Sequence, residues 1–206
     1  VKLFVSGIGT DIGKSVVSAM LIEAFGTDYW KPVQTGGSDT DFVSALVTRP
    51  FTLHPAAYTF QTPASPHHAA ALEGVSVAKE KLLFPQTGNH LIVEGAGGLL
   101  VPLTNDFLVI DLIQDLQLPV ILVSKHYLGS INHTLLSIEA LKIRNIPLLG
   151  IVFNGNENAV TEKAILDFGN TTMLARINDE AEMNKAVVQQ YAESFRNNQF
   201  IQFLFK

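Results

Sequence analysis

The 206-residue chain contains no cysteine. Disulfides, thiolate metal centres, iron–sulfur clusters and a cysteine nucleophile are excluded together by that absence. Charge is scarce as well, with Asp, Glu, Lys and Arg making up only 16% of the residues. Acidic residues outnumber basic ones 19 to 14, for a net charge of -5, and no run of Lys or Arg occurs. Nucleic acid is therefore not expected as a partner. Long apolar runs are also missing. The longest, Leu118–Val123 and Ile146–Phe153, fall far short of the roughly 20 residues that span a bilayer. No membrane segment is expected. The N-terminus lacks a basic stretch leading into an apolar core and cleavage site, so a cytoplasmic location is expected.

What the chain does have is apolar residues. They make up 47% of it, and the mean hydropathy is +0.25. That much burial potential outweighs the entropy of ordering and excludes intrinsic disorder. The length fits one α/β domain over residues 1–206. The low charge fraction leaves apolar surface to be covered, and a subunit interface would cover it.

Short β-rich segments alternate with helical patterns. Leu3–Val5, Tyr29–Val33, Leu91–Val93, Pro119–Val123 and Leu148–Phe153 read as strands. Between them, Ser15–Phe25, Asp41–Val47, Pro66–Glu73, Val75–Leu83, Phe107–Leu116 and Ser130–Ile143 read as helices. The strands are continuous apolar runs, the sign of burial on both faces. A doubly wound, mostly parallel α/β fold is predicted, with helices on both faces of the sheet. After Asn156 the pattern weakens. Thr172–Ile177 reads as a last strand, Ala181–Arg196 as a helix, and the apolar stretch Phe200–Lys206 is expected to pack.

In such folds ligands bind at the carboxyl ends of the strands. The first strand is followed there by Gly7-Ile8-Gly9-Thr10-Asp11-Ile12-Gly13-Lys14-Ser15, which opens a helix. Glycines let backbone N–H groups turn towards phosphate oxygens, and the helix N-terminus adds positive potential. Lys14 would reach the β- and γ-phosphates of a nucleotide, and the Ser15 hydroxyl would ligate Mg²⁺. Counted from Gly7, the loop is one residue longer than the common spacing. The acidic net charge does not oppose this reading, because distant charges are screened beyond roughly 8–10 Å. A lysine about 4 Å from a phosphate contributes about 4 kcal/mol at an effective dielectric near 20.

Lys31, held by Pro32 at the second strand's end, presents another cation to the same edge. Asp39 and Asp41 follow in a Gly-Ser-rich loop. One of them would complete a Mg²⁺ shell of few protein oxygens plus waters; Asp41 also reads as a helix N-cap. Glu94 closes a buried strand and precedes Gly95-Ala96-Gly97-Gly98. A buried carboxylate is unfavourable unless paired or metal-bound, so a metal or substrate contact is expected there.

Taken in order, these segments resemble the dethiobiotin synthetase family. The resemblance rests on Gly7–Ser15, Lys31–Gly36, Tyr58–Phe60 with Ser65–His67, Val93–Leu103, Gly129–Thr134 and Gly150–Asn154, and runs from Val1 to about Asn154. It implies a P-loop enzyme that uses Mg²⁺ and ATP to convert 7,8-diaminopelargonic acid and CO₂ into dethiobiotin, ADP and phosphate. It implies that Gly9, Thr10, Asp11, Ile12, Gly13, Lys14, Ser15 and Asn154 bind ATP, with Asn154 at the adenine, and that Ser15, Asp41 and Glu94 surround the metal. Lys14, Lys31 and Thr10 would be catalytic. Thr10, Lys31, Thr35 and Gly97 would contact the substrate. Its distal carboxylate would meet Gly129, Ser130, Ile131 and Asn132 from the second subunit of a homodimer.

Two departures stand out. Ala175-Arg176-Ile177-Asn178 replaces a Gly-x-Ile-Pro-like turn that helps the family hold the purine, which leaves base specificity open. His126, just ahead of Gly129–Asn132, reads as a surface histidine, and the six histidines show no metal spacing. Two relatives of the P-loop superfamily compete. Amidoligases of corrinoid synthesis carry a glutaminase domain with a cysteine, for which this chain has neither cysteine nor length. Partitioning-type ATPases carry an extra lysine where Gly9 stands.

Overall fold

The computed structural model describes residues 1–205; Lys206, the end of the apolar C-terminal stretch, lies outside them. Seven strands form one sheet in the order β4-β2-β6-β1-β7-β8-β9. They are β1 (Lys2–Gly7), β2 (Asp28–Trp30), β4 (Leu53–His54), β6 (Leu91–Gly98), β7 (Val120–Lys125), β8 (Leu148–Asn154) and β9 (Met173–Ile177). Every pairing in it is parallel. A second, two-stranded parallel sheet joins β3 (Val33–Thr35) to β5 (Tyr58–Phe60). The helices are α1 (Lys14–Phe25), α2 (Asp39–Leu46), α3 (Pro66–Leu72), α4 (Val109–Asp115), α5 (Ser130–Ile143), α6 (Ala159–Gly169), α7 (Lys185–Asn197) and α8 (Gln199–Leu204).

Alternate residues of each central strand feed two apolar layers. In β1, Leu3 and Val5 pack with Val17, Leu21 and Phe195 on one face. Phe4, between them, packs with Val109, Ile113 and Phe153 on the other. Both faces are buried, which is why the strands carry no polar alternation. Polar side chains start four of the helices. The hydroxyl or amide oxygen of Ser38, Asn158, Asn184 and Asn198 accepts from the backbone N–H three residues on, meeting one otherwise unpaired donor each.

Two expected elements differ from those observed, and helix α6 was not expected. The strand over Tyr29–Val33 divides at Lys31-Pro32 into β2 and β3. Pro32 has no N–H to donate to a ladder, and its carbonyl instead accepts from the N–H groups of Ala57 and Tyr58. The chain thereby leaves the main sheet for the small one. The helix expected over Val75–Leu83 is a single 3₁₀ turn at Lys79–Lys81. Of its apolar residues Leu82 is buried while Val75 and Leu83 are exposed, so no continuous helical face exists to be buried. Conversely, α6 left little periodic trace, because Ile165 is its one buried apolar side chain. The C-terminal stretch packs only in part: Ile201 is buried and the Phe205 ring stacks on Phe25 at 4.2 Å between centroids, whereas Phe200 and Phe203 are exposed. Among the described residues, no helix is long and apolar enough to cross a membrane.

The α7 helix covers α1 through Val188, Tyr191, Ala192 and Phe195. Phe195→Ala is expected to lower stability by about 3–5 kcal/mol, the usual loss for a buried aromatic ring. Urea unfolding checks it: the midpoint falls while the slope stays unchanged.

Candidate active site

The carboxyl ends of β1 and β6 lie side by side, with Gly7 opposite Gly98. Here the phosphate loop leaves β1 and enters α1 through Gly13, whose φ of 96° places it in the left-handed region that glycine adopts freely. The Lys14 ammonium folds back over the loop and donates to the Gly9 carbonyl at 3.0 Å. A cleft of about 860 Å³ opens beside it, bounded by residues 10–16, 34–39 and 63–66 and floored by Lys31, Glu94 and Gly97.

Glu94 is completely buried at the back of this cleft. Four groups aim at its carboxylate: Ser15 Oγ and Ser18 Oγ at 2.7 Å each, Tyr29 OH at 3.0 Å and Lys31 Nζ at 3.1 Å. The Lys31 ammonium also pairs with Asp39. Asp39 in turn lies 3.3 Å from both Ser15 Oγ and Gln34 Nε2. Two carboxylates therefore converge on one ammonium, and the Ser15 hydroxyl bonds both of them.

The electrostatics follow from this packing. Burial pulls the Lys31 pKa down, but Glu94 and Asp39 together outweigh it and hold Lys31 above the ordinary lysine value. Burial pushes Asp39 up, yet the Lys31 charge and the hydrogen bonds from Lys31, Gln34 and Ser15 leave it below the ordinary value. Lys14 is lowered, by burial first and by the neighbouring Lys31 charge, against the pull of Glu94. Burial and the Glu94 charge push the Tyr29 phenol well up, so it stays a donor.

The structure brings together most of the candidate residues. Thr10, Asp11, Ile12, Gly13, Lys14, Ser15, Lys31, Thr35, Glu94 and Gly97 all border the cleft. Asp41 does not. Ser38 is the N-cap of α2 and receives the Asp41 N–H at 3.1 Å, while the Asp41 side chain is exposed. Asp39 faces the cluster instead. Two helical residues lie about 200° apart around the axis, so only one of this pair can face inward. Asn154, at the end of β8, sits against the outside of the phosphate loop, its Nδ2 donating to the Ile12 carbonyl at 2.9 Å. Gly129, Ser130, Ile131 and Asn132 begin α5 and do not border the cleft of their own chain.

Ser18, Tyr29 and Gln34 escaped the sequence reading. The signals were present for two of them. Ser18 lies three residues after Ser15 and so shares its helix face. Tyr29 lies two residues before Lys31 on an extended segment, and so points the same way. His126 is no surface residue. Its ring is largely buried, stacks on Phe153, and bonds Glu162 through Nε2 at 3.0 Å. Among the described residues, no group of three or more His, Asp or Glu side chains is arranged to hold a metal ion.

Residues 1–187 match the family model described as AAA domain. Over its whole length the fold is similar to a putative plasmid partition protein of Borrelia burgdorferi bound to AMPPNP. That match has a TM-score of 0.58 at 11% identity, covering 98% of each chain. It is similar also to MinD in the MinC:MinD cell division complex of Aquifex aeolicus, with a TM-score of 0.57 at 11% identity, covering 98% of this chain and 95% of that one. At such identities the likeness shows the fold alone, an α/β P-loop NTPase fold. Sequence similarity is far stronger elsewhere. The chain is 48% identical over 197 residues to the ATP-dependent dethiobiotin synthetase BioD of Christiangramia forsetii, covering 94% of this chain and 95% of that protein. It is 46% identical over 201 residues to the protein of the same name from Cytophaga hutchinsonii, covering 96% and 98%. The chain belongs to the ATP-dependent dethiobiotin synthetase family.

Proposed function

We propose that the protein converts 7,8-diaminopelargonic acid and CO₂ into dethiobiotin at the expense of ATP, giving ADP and phosphate. The observation that carries this reading is the pairing of Lys31 with the buried Glu94 beside the phosphate loop. It places a second fixed cation next to Lys14, where a phosphoryl group and a carbamate would meet.

One amine of the substrate adds to CO₂ and loses a proton, giving a carbamate. A carbamate oxygen attacks the γ-phosphorus of ATP and ADP departs. The second amine attacks the carbonyl carbon of the resulting mixed anhydride, expels phosphate and loses a proton, closing the ring. The protein's share is positioning and charge neutralisation. Backbone N–H groups of Gly9–Ser15 and the start of α1 cradle the phosphates. Lys14 exchanges the Gly9 carbonyl for β- and γ-phosphate oxygens. Lys31 faces the carbamate and the transferring phosphoryl group. Thr10 and Thr35 offer hydroxyls to the substrate, and Gly97 leaves the floor open beneath it. Asn154 contacts the base.

The donor set fits Mg²⁺. Ser15, Asp39 and Glu94 are hard oxygen donors, and the Asp39 and Glu94 carboxylates already accommodate one cation, the Lys31 ammonium. Asp39 takes the role expected of Asp41. When bound, Mg²⁺ neutralises charge on the β- and γ-phosphoryl oxygens. The Gly129–Asn132 N–H groups at the start of α5 bind the distal carboxylate of the substrate held by a second subunit. Tyr127, Leu128 and Ile131 are exposed around that helix start, which supports a homodimer there. We further propose one domain over residues 1–206, at work in the cytoplasm.

Three measurements test these proposals. Purified protein given the diamine, bicarbonate and Mg-ATP is expected to form dethiobiotin with one phosphate per product. ATP turnover indifferent to the diamine would point to a switch-type ATPase instead. Asp39→Asn is expected to raise the Mg²⁺ concentration for half-maximal rate by about tenfold or more, while Asp41→Asn leaves it nearly unchanged. Leu128→Glu is expected to shift the protein to monomer in sedimentation and to raise the KM for the diamine, with the KM for ATP unaltered.

A further inference from the structure

A second polar cluster lies outside the catalytic cleft, behind the carboxyl end of β8. Arg176 of β9 grips Glu162 of α6 with two parallel hydrogen bonds, Nε to Oε1 at 2.9 Å and Nη2 to Oε2 at 2.5 Å. His126, just past β7, holds Glu162 Oε1 from the other side at 3.0 Å. All three side chains are largely buried. Burial pushes the Glu162 pKa up, but the hydrogen bonds from Arg176 and His126 outweigh it and leave it below the ordinary value. A buried ion pair of this kind is weak evidence for stability, because packed apolar residues would serve as well. Its use is geometric: two parallel bonds from a planar guanidinium fix an orientation.

What it fixes is the Asn154-Gly155 corner. The His126 N–H donates to the Asn154 carbonyl at 2.9 Å, and the Gly155 N–H donates to the Ile177 carbonyl at 2.8 Å. The imidazole lies flat on Phe153, the residue before. It also fills the space beside Gly155, where an added Cβ would stand 3.2 Å from the ring and where φ is 124°. Asn154 thus has its carbonyl, its succeeding N–H and its side-chain amide each held by a different element. Neighbours of β8 on both sides are locked to each other through Glu162.

We infer that His126, Glu162 and Arg176 form a positioning triad that holds Asn154 and thereby sets the preference for ATP over other nucleoside triphosphates. The inference rests on the proposed contact of Asn154 with the base. None of the three borders the phosphate and substrate cleft, so their effect is confined to the nucleotide's far end.

The test compares kcat and KM for ATP and GTP, and KM for the diamine, in the full-length protein and its variants. Glu162→Gln keeps the shape and removes the charge. Its expected result is a KM for ATP raised about tenfold, the worth of one charge-assisted hydrogen bond. The ATP-to-GTP preference falls with it, while kcat at saturating ATP and the KM for the diamine hold. His126→Ala is expected to behave alike, and His126→Gln to recover part of the loss, since its amide N–H can reach Glu162. Should Glu162→Gln fail to fold, Arg176→Lys, which keeps the charge but not the paired bonds, carries the same expectation. An unaltered nucleotide preference in these variants, with Asn154→Ala changing it, overturns the triad and leaves the base contact standing. An unaltered preference in Asn154→Ala overturns the base contact and the triad with it. A joint fall in kcat and rise in the diamine KM marks general damage and also overturns the proposal.

Discussion

The burial of one carboxylate organises this active edge. Glu94 has no exposed surface, and a carboxylate in that position is tolerated only when its hydrogen-bonding capacity is met. The donors come from separate parts of the chain: Ser15 and Ser18 from α1, Tyr29 from β2, and Lys31 from the segment where the chain leaves the main sheet. Satisfying Glu94 therefore seats α1 against the sheet, sets the phosphate loop that precedes it, and fixes the break after β2. The proline break then has a consequence of its own. By sending β3 to a second sheet it opens the wall of the cleft that Gln34, Thr35 and Asp39 border.

On the proposed reading, the two ends of a bound nucleotide would meet different kinds of order. At the phosphate end, the groups offered would be backbone amides and two lysine termini, beside a loop whose shape glycine permits. At the end of β8, the order comes from side chains that lock neighbouring elements. This division matches the charge distribution. A chain of net charge -5 serves an anionic ligand because two lysines and a helix start are concentrated at one sheet edge, and distance screens the remainder.

Much of this was legible in the sequence, and the limits have physical causes. The parallel sheet was readable because both faces of its strands are buried. The phosphate loop was readable because its glycines, lysine and serine stand together in order. Glu94 was readable because a charge ending an apolar run demands a partner, and Lys31 because Pro32 fixes it at a strand end within a family-like segment. The choice between Asp39 and Asp41 was not readable, since it turns on which residue caps α2. Ser38 takes that place, which turns Asp39 inward. His126 was misread because its burial depends on Phe153 and Glu162, neighbours in space that lie 27 and 36 positions away. The α6 helix was missed because one buried isoleucine is too little periodicity to detect.

The same coupling sets the pH range over which the cluster keeps its form. Asp39 is held below the ordinary aspartate value, so its contribution to stability is complete above that value and is lost as pH falls through the lowered one. Lys31 is held above the ordinary lysine value, so its contribution is complete below that value and is lost as pH rises through the raised one. The two windows overlap across the whole neutral range. There the ammonium and the Asp39 carboxylate are both charged and stay paired until ligands compete for them. The site therefore needs no change of protonation in Lys31 or Asp39 to receive a nucleotide. Exchange of partners is enough, and the protons that the reaction releases come from the substrate's amines.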